Sequence, residues 1–357
     1  MRLTVLPGDG IGPEITTATL RVLERASERF ALGLTFEHHD VGFAALRARG
    51  TTFPDDVLDA CRAADGIVLG PVSHVDYPPR EEGGRNPSGE LRIALDLYAN
   101  IRPSRSRAGL PHWGRTGMDL VIVRENTEGF YADRNMFAGT GEFMPDPDMA
   151  LAVRKITAKA SRRIAVTAFA LARTRRSDVT AVHKVNVFHL SDALFLREVR
   201  AVAEQFPDVA YHEQLVDSMA ALLVRDAARF DVVVTTNMFG DTLSDEAAEL
   251  SGSLGLAGSI NAGEAHCMAQ AQHGSAPDIA GRDRANPASL IASASMLLGW
   301  LGIRHERPAF VAAHHAIDAA LDTLIADPAR RTADLGGTLG TAAFENAVCA
   351  ELTERAT

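Results

Sequence analysis

The sequence predicts an α/β fold. Short apolar runs bounded by turn residues alternate with longer amphipathic stretches, the order expected of strands and helices taken in turn. Helix starts are marked where a capping residue precedes a proline, at Asn86-Pro87 and again at Asn286-Pro287. Length adds a third observation: 357 residues, 46% of them apolar, is chain enough for about two domains.

Taken in order, the apolar runs 3–6 (LTVL), 66–69 (GIVL), 119–123 (DLVIV), 179–182 (VTAV), 209–214 (VAYHEQ) and 231–235 (DVVVT) read as strands. Helical spacing runs through 13–30, 54–63, 88–97, 149–173, 188–205, 218–228, 242–250, 286–301, 308–326 and 338–352. The Pro-, Gly- and Arg-rich 102–117 lacks periodicity and reads as a loop, and the Gly-rich 252–263 as a second crossing between domains.

With 36 Lys plus Arg against 46 Asp plus Glu, the net charge of −10 offers no general attraction to nucleic acid or to a membrane surface. The three cysteines, Cys61, Cys267 and Cys349, are far apart and support neither a disulfide framework nor a zinc site. A strand-like run and a Gly/Pro turn open the chain where a leader would need a basic and then an apolar segment, and no uninterrupted apolar run approaches membrane-spanning length. The expectation is a cytoplasmic protein.

Gly8-Asp9-Gly10-Ile11-Gly12-Pro13 follows a strand and opens a helix, but Pro13 stands where the dinucleotide fingerprint needs its third glycine. An ordinary Rossmann domain is therefore not expected. The pairs His38-His39 and His314-His315 read as solvated histidines. The densest chemistry lies in DVVVTTNMFGDTLSD at 231–245, an apolar strand followed by Asp241 and Asp245. Four residues apart on a helix, two carboxylates share one face at the carboxyl end of a strand, and such hard oxygens suit Mg²⁺. The competing reading makes Asp241 a helix cap and Asp245 a first-turn dipole partner. Asp217 is either a third carboxylate or another cap.

Arg92, Arg102 and Arg124 each stand where an apolar segment ends, so each needs a carboxylate, from a dicarboxylate ligand or from within the chain. Among 36 basic residues only Lys155, Lys159 and Lys184 are lysines. Lys184 follows the strand 179–182 among apolar residues, where a lysine, unlike an arginine, can be tuned to act as a base; a structural snorkelling lysine fits the same pattern.

These segments together resemble the NAD(P)-dependent β-decarboxylating dehydrogenases, the family of isocitrate, homoisocitrate, 3-isopropylmalate and tartrate dehydrogenases. The resemblance runs collinearly through LPGDGIGPE (6–14), LDLYANIRP (95–103), VIVRENTEGFY (121–131), HKVNV (183–187), VDSMA (216–220), TTNMFGDTLSD (235–245), HGSAPDIAG (273–281) with Asn286-Pro287, and DLGG (334–337). It looks closest to the homoisocitrate and NAD-isocitrate branches. It implies two α/β domains around one large mixed sheet, residues 1–98 plus 252–357 for the cofactor and 99–251 for substrate, metal and homodimer contact.

By resemblance, Arg92, Arg102 and Arg124 clamp the carboxylates of a malate, and Asp241 and Asp245 hold Mg²⁺ or Mn²⁺ with Asp217 of a second copy. Lys184, also of the second copy, takes the hydroxyl proton, and Tyr131 returns a proton to C3. Cofactor contacts fall to Ile11, Gly12, Asn186, His273, Gly274, Ser275, Ala276, Asp278 and Asn286. Asp278 would accept from a ribose 2′-hydroxyl and repel a 2′-phosphate, hence NAD.

Two departures stand out. Met268-Ala-Gln270-Ala-Gln272 replaces the usual Phe/Tyr-Glu-Pro before His-Gly-Ser, and Gly89 stands where an arginine is expected for homoisocitrate. Ser88 and Gly89 also offer no apolar wall, whereas Arg85, Asn86 and Ser88 near a helix start favour an anion. The expected substrate is thus of the isocitrate or homoisocitrate kind, with 3-isopropylmalate and tartrate or D-malate as alternatives. A Mg²⁺ phosphatase built on Asp241 and Asp245 leaves Lys184, Tyr131 and Asp278 without roles. A non-catalytic regulatory subunit of the family would tend to lose the lysine, tyrosine or aspartates that are all present.

Overall fold

Strands and helices alternate through the computed structural model, which describes residues 1–131, 136 and 139–354. The strands are β1 (Arg2–Leu6), β2 (Thr35–His38), β3 (Gly66–Leu69), β4 (Ala99–Arg105), β5 (Asp119–Glu125), β6 (Glu142–Asp146), β7 (Met149–Ala152), β8 (Asp178–His183), β9 (Ala210–Leu215), β10 (Val232–Thr235), β11 (Ile260–Ala262) and β12 (Cys267–Gln270). The α-helices are α1 (Gly12–Phe30), α2 (Gly42–Arg49), α3 (Asp55–Ala63), α4 (Pro87–Ala94), α5 (Ala158–Ala172), α6 (Ser191–Ala203), α7 (Val216–Asp226), α8 (Asn237–Ser251), α9 (Ala288–Arg304), α10 (Pro308–Ala326) and α11 (Thr341–Glu354).

β6 and β7 form a separate antiparallel hairpin, and the other strands join one ten-stranded mixed sheet in the order β2-β1-β3-β12-β11-β4-β5-β10-β8-β9. Its outer pairings are parallel; β12–β11, β11–β4 and β4–β5 in the middle are antiparallel. The inner parallel strands β1, β3, β8 and β10 are covered on both faces, which is why they read as continuous apolar runs, whereas the edge strands β2 and β9 are largely exposed. In β10, Val232 and Val234 enter the core under α5 and α6, while Val233 enters the one under α7 and α8. At the other end of the sheet, Leu3 and Val5 of β1 pack with α1, α9, α10 and α11, and Leu6 meets Phe53, Val57 and Leu91 on the opposite face.

α10 is long and apolar enough to cross a membrane by length and mean hydropathy, 1.2. No single uninterrupted run shows this, because Asp318 and Asp322 punctuate it. Its Phe310, Ile317, Leu321 and Leu324 are buried in the core shared with α1 and α9, as befits a core helix.

Several sequence expectations change. Residues 102–105 belong to a central strand and are not loop. The polarity of Ala99-Asn-Ile-Arg-Pro-Ser-Arg105 hid it, because one face of β4 carries Asn100, Arg102 and Ser104. Pro103 is tolerated there. Opposite it, the Val121 N–H is turned to Asp231 O on the far side, so the 103–121 pair exchanges no bonds, and the missing N–H of Pro103 points to where β11 has already ended. The expected helix 149–173 begins only at Ala158, capped by the Thr157 hydroxyl accepting from Ala160 N at 3.2 Å. Met149–Ala152 has good helix formers, yet its pairing with β6 overrides local propensity. β11 and β12, at the edge of and beyond the Gly-rich 252–263, carry too few residues to be legible alone.

Candidate active site

β4, β5, α4, α8 and the end of β12 converge on a cavity of about 270 Å³. Because β4 and β5 pair antiparallel with Arg102 opposite Ile122 and Asn100 opposite Arg124, the two arginines project from the same face of the sheet. Arg102 is 7% exposed and Arg124 2%. From Arg102, Nη1 donates to Ser244 Oγ at 2.7 Å, Asp245 Oδ1 at 3.0 Å and Asp241 Oδ1 at 3.3 Å. From Arg124, Nε and Nη2 donate to Asn237 Oδ1 at 2.9 and 2.7 Å, and Nη1 closes on Asp241. α8 lies so close to Arg124 that a Cβ at Gly240 would sit 2.7 Å from the Arg124 Cβ.

α8 begins at Asn237, with Thr236 at its N-cap, so Asp241 lies a full turn inside. The capping alternative for Asp241 is therefore excluded, and the i, i+4 spacing puts both carboxylates on one face. Burial opposes ionisation of Asp241 most strongly, but Arg124, Arg102 and the Tyr131 hydroxyl donating to Oδ2 at 3.1 Å hold its carboxyl below the usual range. Burial, then the neighbouring Arg124 charge, pulls Arg102 down to about 10, which still leaves it protonated at neutral pH. Its Nε is buried without a hydrogen-bond partner among the described residues.

Arg92 and Ser88 of α4 also line the cavity; Arg92 Nη2 and Ser88 Oγ donate to Gln270 Oε1 at 3.2 and 2.9 Å. Asn86 caps α4 through its Oδ1, accepting from Gly89 N at 3.2 Å, as its position before Pro87 predicts. Arg85 corrects the expectation of an anion contact. Its guanidinium is spent on Glu90 through Nε at 2.9 Å and Nη2 at 2.5 Å, and on Asp55 and Phe53 O, both at 2.7 Å. It does not line the cavity.

The two segments expected to carry the cofactor meet beside the cavity. Ile11 N donates to Ser275 O at 2.8 Å, and Gly10, at φ +56°, leaves room for that contact because a Cβ there would lie 2.0 Å from Ser275 O. Ser275 Oγ pairs with Ser73 Oγ at 2.7 Å. Gly12 opens α1 beside them, and Ala276 adopts φ +37° in the turn that leads to the exposed Asp278. Asn286 Nδ2 donates to Asp334 Oδ2 at 2.9 Å, tying the DLGG turn to the segment. His273 and Gly274 line the cavity; burial lowers the His273 imidazole below its ordinary value, and its Nε2 has no partner among the described residues.

Lys184, Asn186 and Asp217 are not brought to this cavity within the chain. Lys184 Nζ instead donates to Asp217 Oδ1 at 2.6 Å, a bond that holds the Asp217 carboxyl below the usual range. Among the described residues no group of three or more His, Cys, Asp and Glu side chains has metal-site geometry. Sequence reading also missed the parts played by Asn237, Ser244 and Gln272. No local pattern marked Gln272, which lies beyond the end of β12 where strand alternation no longer sets a side chain's direction.

The isocitrate/isopropylmalate dehydrogenase family model matches residues 2–355. The chain is 38% identical to the 3-isopropylmalate dehydrogenase of Archaeoglobus fulgidus, covering 98% of this chain and 99% of that protein. It is 41% identical to the isocitrate/homoisocitrate dehydrogenase of Thermus thermophilus over 97% of both. A solved isocitrate dehydrogenase from Methylococcus capsulatus superposes with a TM-score of 0.85 at 37% identity, over 98% of this chain and 99% of that one. Fold, site and likeness together define an oxidoreductase, a dehydrogenase acting on a hydroxy acid. The chain belongs to the isocitrate/isopropylmalate dehydrogenase family.

Proposed function

We propose that this protein oxidatively decarboxylates a 3-substituted (2R)-malate with NAD and Mg²⁺ or Mn²⁺, with 3-isopropylmalate as the first candidate. The observation that carries the reaction type is the meeting of Arg92, Arg102 and Arg124 with Asp241 and Asp245 around one cavity. The unpartnered Arg102 Nε fits a substrate carboxylate, and the two hard carboxylates on α8 fit a divalent cation. Open space at Gly274 and the unpartnered His273 Nε2 fit the cofactor beside Ile11 and Gly12.

Residues 1–98 plus 252–357 would form the cofactor domain and 99–251 the substrate domain. Within a homodimer, Asp217 and Lys184 of the second copy complete the site, and Asn186 reaches the nicotinamide. The apolar hairpin β6–β7, with Phe143, Met144, Met149 and Leu151 exposed, supports such a contact. The arginines would orient the malate carboxylates and Lys184 would accept the C2 hydroxyl proton; bound NAD would supply the hydride acceptor. A bound cation would supply positive charge where negative charge develops on the C2 oxygen during loss of CO₂. The Tyr131 hydroxyl then delivers a proton to C3.

The earlier preference for a charged C3 substituent is weakened, because Arg85 is committed to Glu90 and Asp55. Pro71 and Val72 line the cavity with Gly89, an apolar side that suits an alkyl group, and relatives named 3-isopropylmalate dehydrogenase span the whole chain. Burying such a group is worth about 1.5–3 kcal/mol. A second reading, isocitrate or homoisocitrate, is favoured by Ser88 and Asn86 on the same cavity wall. Relative kcat/KM across 3-isopropylmalate, isocitrate, homoisocitrate and D-malate, with Mn²⁺ and NAD, decides between them. A lead of about tenfold for 3-isopropylmalate, near 1.4 kcal/mol, is expected; an equal lead for isocitrate overturns the first choice. The same assay should favour NAD over NADP, and Asp278→Ser should shrink that preference by about tenfold.

A further inference from the structure

Gln270 closes β12 and Gln272 stands in the bend that follows, and their amides serve different walls of the cavity. Gln270 Oε1 accepts from Arg92 and Ser88, on α4. Gln272 Nε2 reaches across to α8 and donates to Asp245 Oδ1 at 2.8 Å. That oxygen also receives Arg102 Nη1 at 3.0 Å. Two donors on one oxygen fix the carboxylate rotamer of Asp245 and leave its Oδ2 for another ligand. The Asp245 side chain is otherwise 53% exposed. No other described side chain bonds the Gln272 amide, and its Oε1 is buried without a partner among the described residues. An amide held so one-sidedly is set in place by its contact with Asp245.

We propose that Gln272 is a positioning residue for the divalent cation, pre-setting Asp245 from the opposite wall of the cleft. This rests on the reading of Asp245 as a cation ligand. A charged partner in place of Gln272 would either compete with the cation or repel Asp245; a neutral amide donor orients the carboxylate without changing the charge of the site. Because α8 packs on β4 and β5 while Gln272 follows β12, two strands away in the sheet, the same bond also links these two parts of the fold at the cavity.

The test is the Mn²⁺ dissociation constant, read from the paramagnetic resonance signal of free Mn²⁺ without substrate or cofactor. Partners that orient a metal ligand typically carry ten- to hundredfold in affinity; with Arg102 still in place, Gln272→Leu should weaken Mn²⁺ by about tenfold. The KM for Mn²⁺ should rise by the same factor while kcat at saturating Mn²⁺ falls less than about twofold. Gln272→Met, which also lacks the donor, serves if the leucine variant does not fold. A dissociation constant within twofold of the parent in the folded variants, with Asp245→Asn abolishing binding, overturns the role of Gln272 and leaves the cation site standing. Unchanged Mn²⁺ binding in Asp245→Asn overturns the cation site itself.

Discussion

The two faces of the β4–β5 pair make opposite use of the same strands. On one, Arg102 and Arg124 look into the cavity of about 270 Å³; on the other, Ile101, Pro103 and Val121 floor a larger one, about 420 Å³. Charges crowd the rim of the larger cavity, yet they are matched. Arg105 donates to Asp318 at 3.3 Å and Asp322 at 2.9 Å, Arg107 pairs with Asp322, and Arg175 pairs with Asp119 at 2.8 Å and Asp231 at 2.7 Å. The smaller cavity gathers three arginines around Asp241, with Asp245 held by Arg102, and Arg102 Nε has no partner among the described residues. Size does not mark the candidate site; charge left for a ligand to complete does.

Breaking the smaller cavity should cost most. Arg124→Met removes both bonds to Asn237 and the closest partner of Asp241, leaving a half-buried carboxylate with Arg102 and the Tyr131 hydroxyl. An oriented cationic donor in such a site is worth about a hundred- to thousandfold in rate, so kcat/KM should fall by about that factor. Circular dichroism distinguishes this from unfolding, and a loss under tenfold would mean that the arginine is structural.

Breaking the larger cavity should cost stability and little activity. Asp322→Ala takes the nearer carboxylate from Arg105 and Arg107 and leaves them Asp318, at 3.3 and 3.9 Å; Asp322 is 37% exposed and water screens what is lost. Urea denaturation should show about 1 kcal/mol of destabilisation, with kcat/KM within threefold of the parent. A large loss of activity there would make the two faces functionally equivalent and erase the contrast.

Each face also holds a half-buried histidine, and His314, bonded to Ser295, corrects the expectation of a solvated pair with the exposed His315. His273, on the smaller cavity, and His314, whose Nδ1 meets Ser295 Oγ at 2.8 Å on the larger, both have pKa values lowered from 6.5, chiefly by burial. For such a base the unfolded chain binds more protons in the window below 6.5, so stability is full above it and declines as pH falls. Asp318 offsets part of this for His314 and His315 opposes it; Asp334 offsets part for His273. Urea midpoints between pH 7 and 5 should therefore fall, and His273→Asn should flatten the slope. An unchanged slope in that variant would move the effect to His314.

Much of this was legible locally. The parallel strands showed as runs such as Val232-Val-Val-Thr235, Asn86 announced its cap, and the spacing of Asp241 and Asp245 put them on one helix face. The antiparallel centre was not, because β4 spends alternate side chains on Arg102 and Asn100, and β11 and β12 acquire meaning only beside β4 and β3. By itself, then, the sequence determined the α/β class, the buried strands, the helix starts and the kinds of charge available, all consequences of neighbours a few residues apart. Tertiary structure alone decided which charge meets which. Arg85 faced a choice between a ligand and Glu90, Arg102 met Asp241 from 139 residues away, and Gln272 met Asp245 across the cleft. An ionic or amide group bonds whatever the fold brings within about 3 Å, and no local pattern encodes that distance.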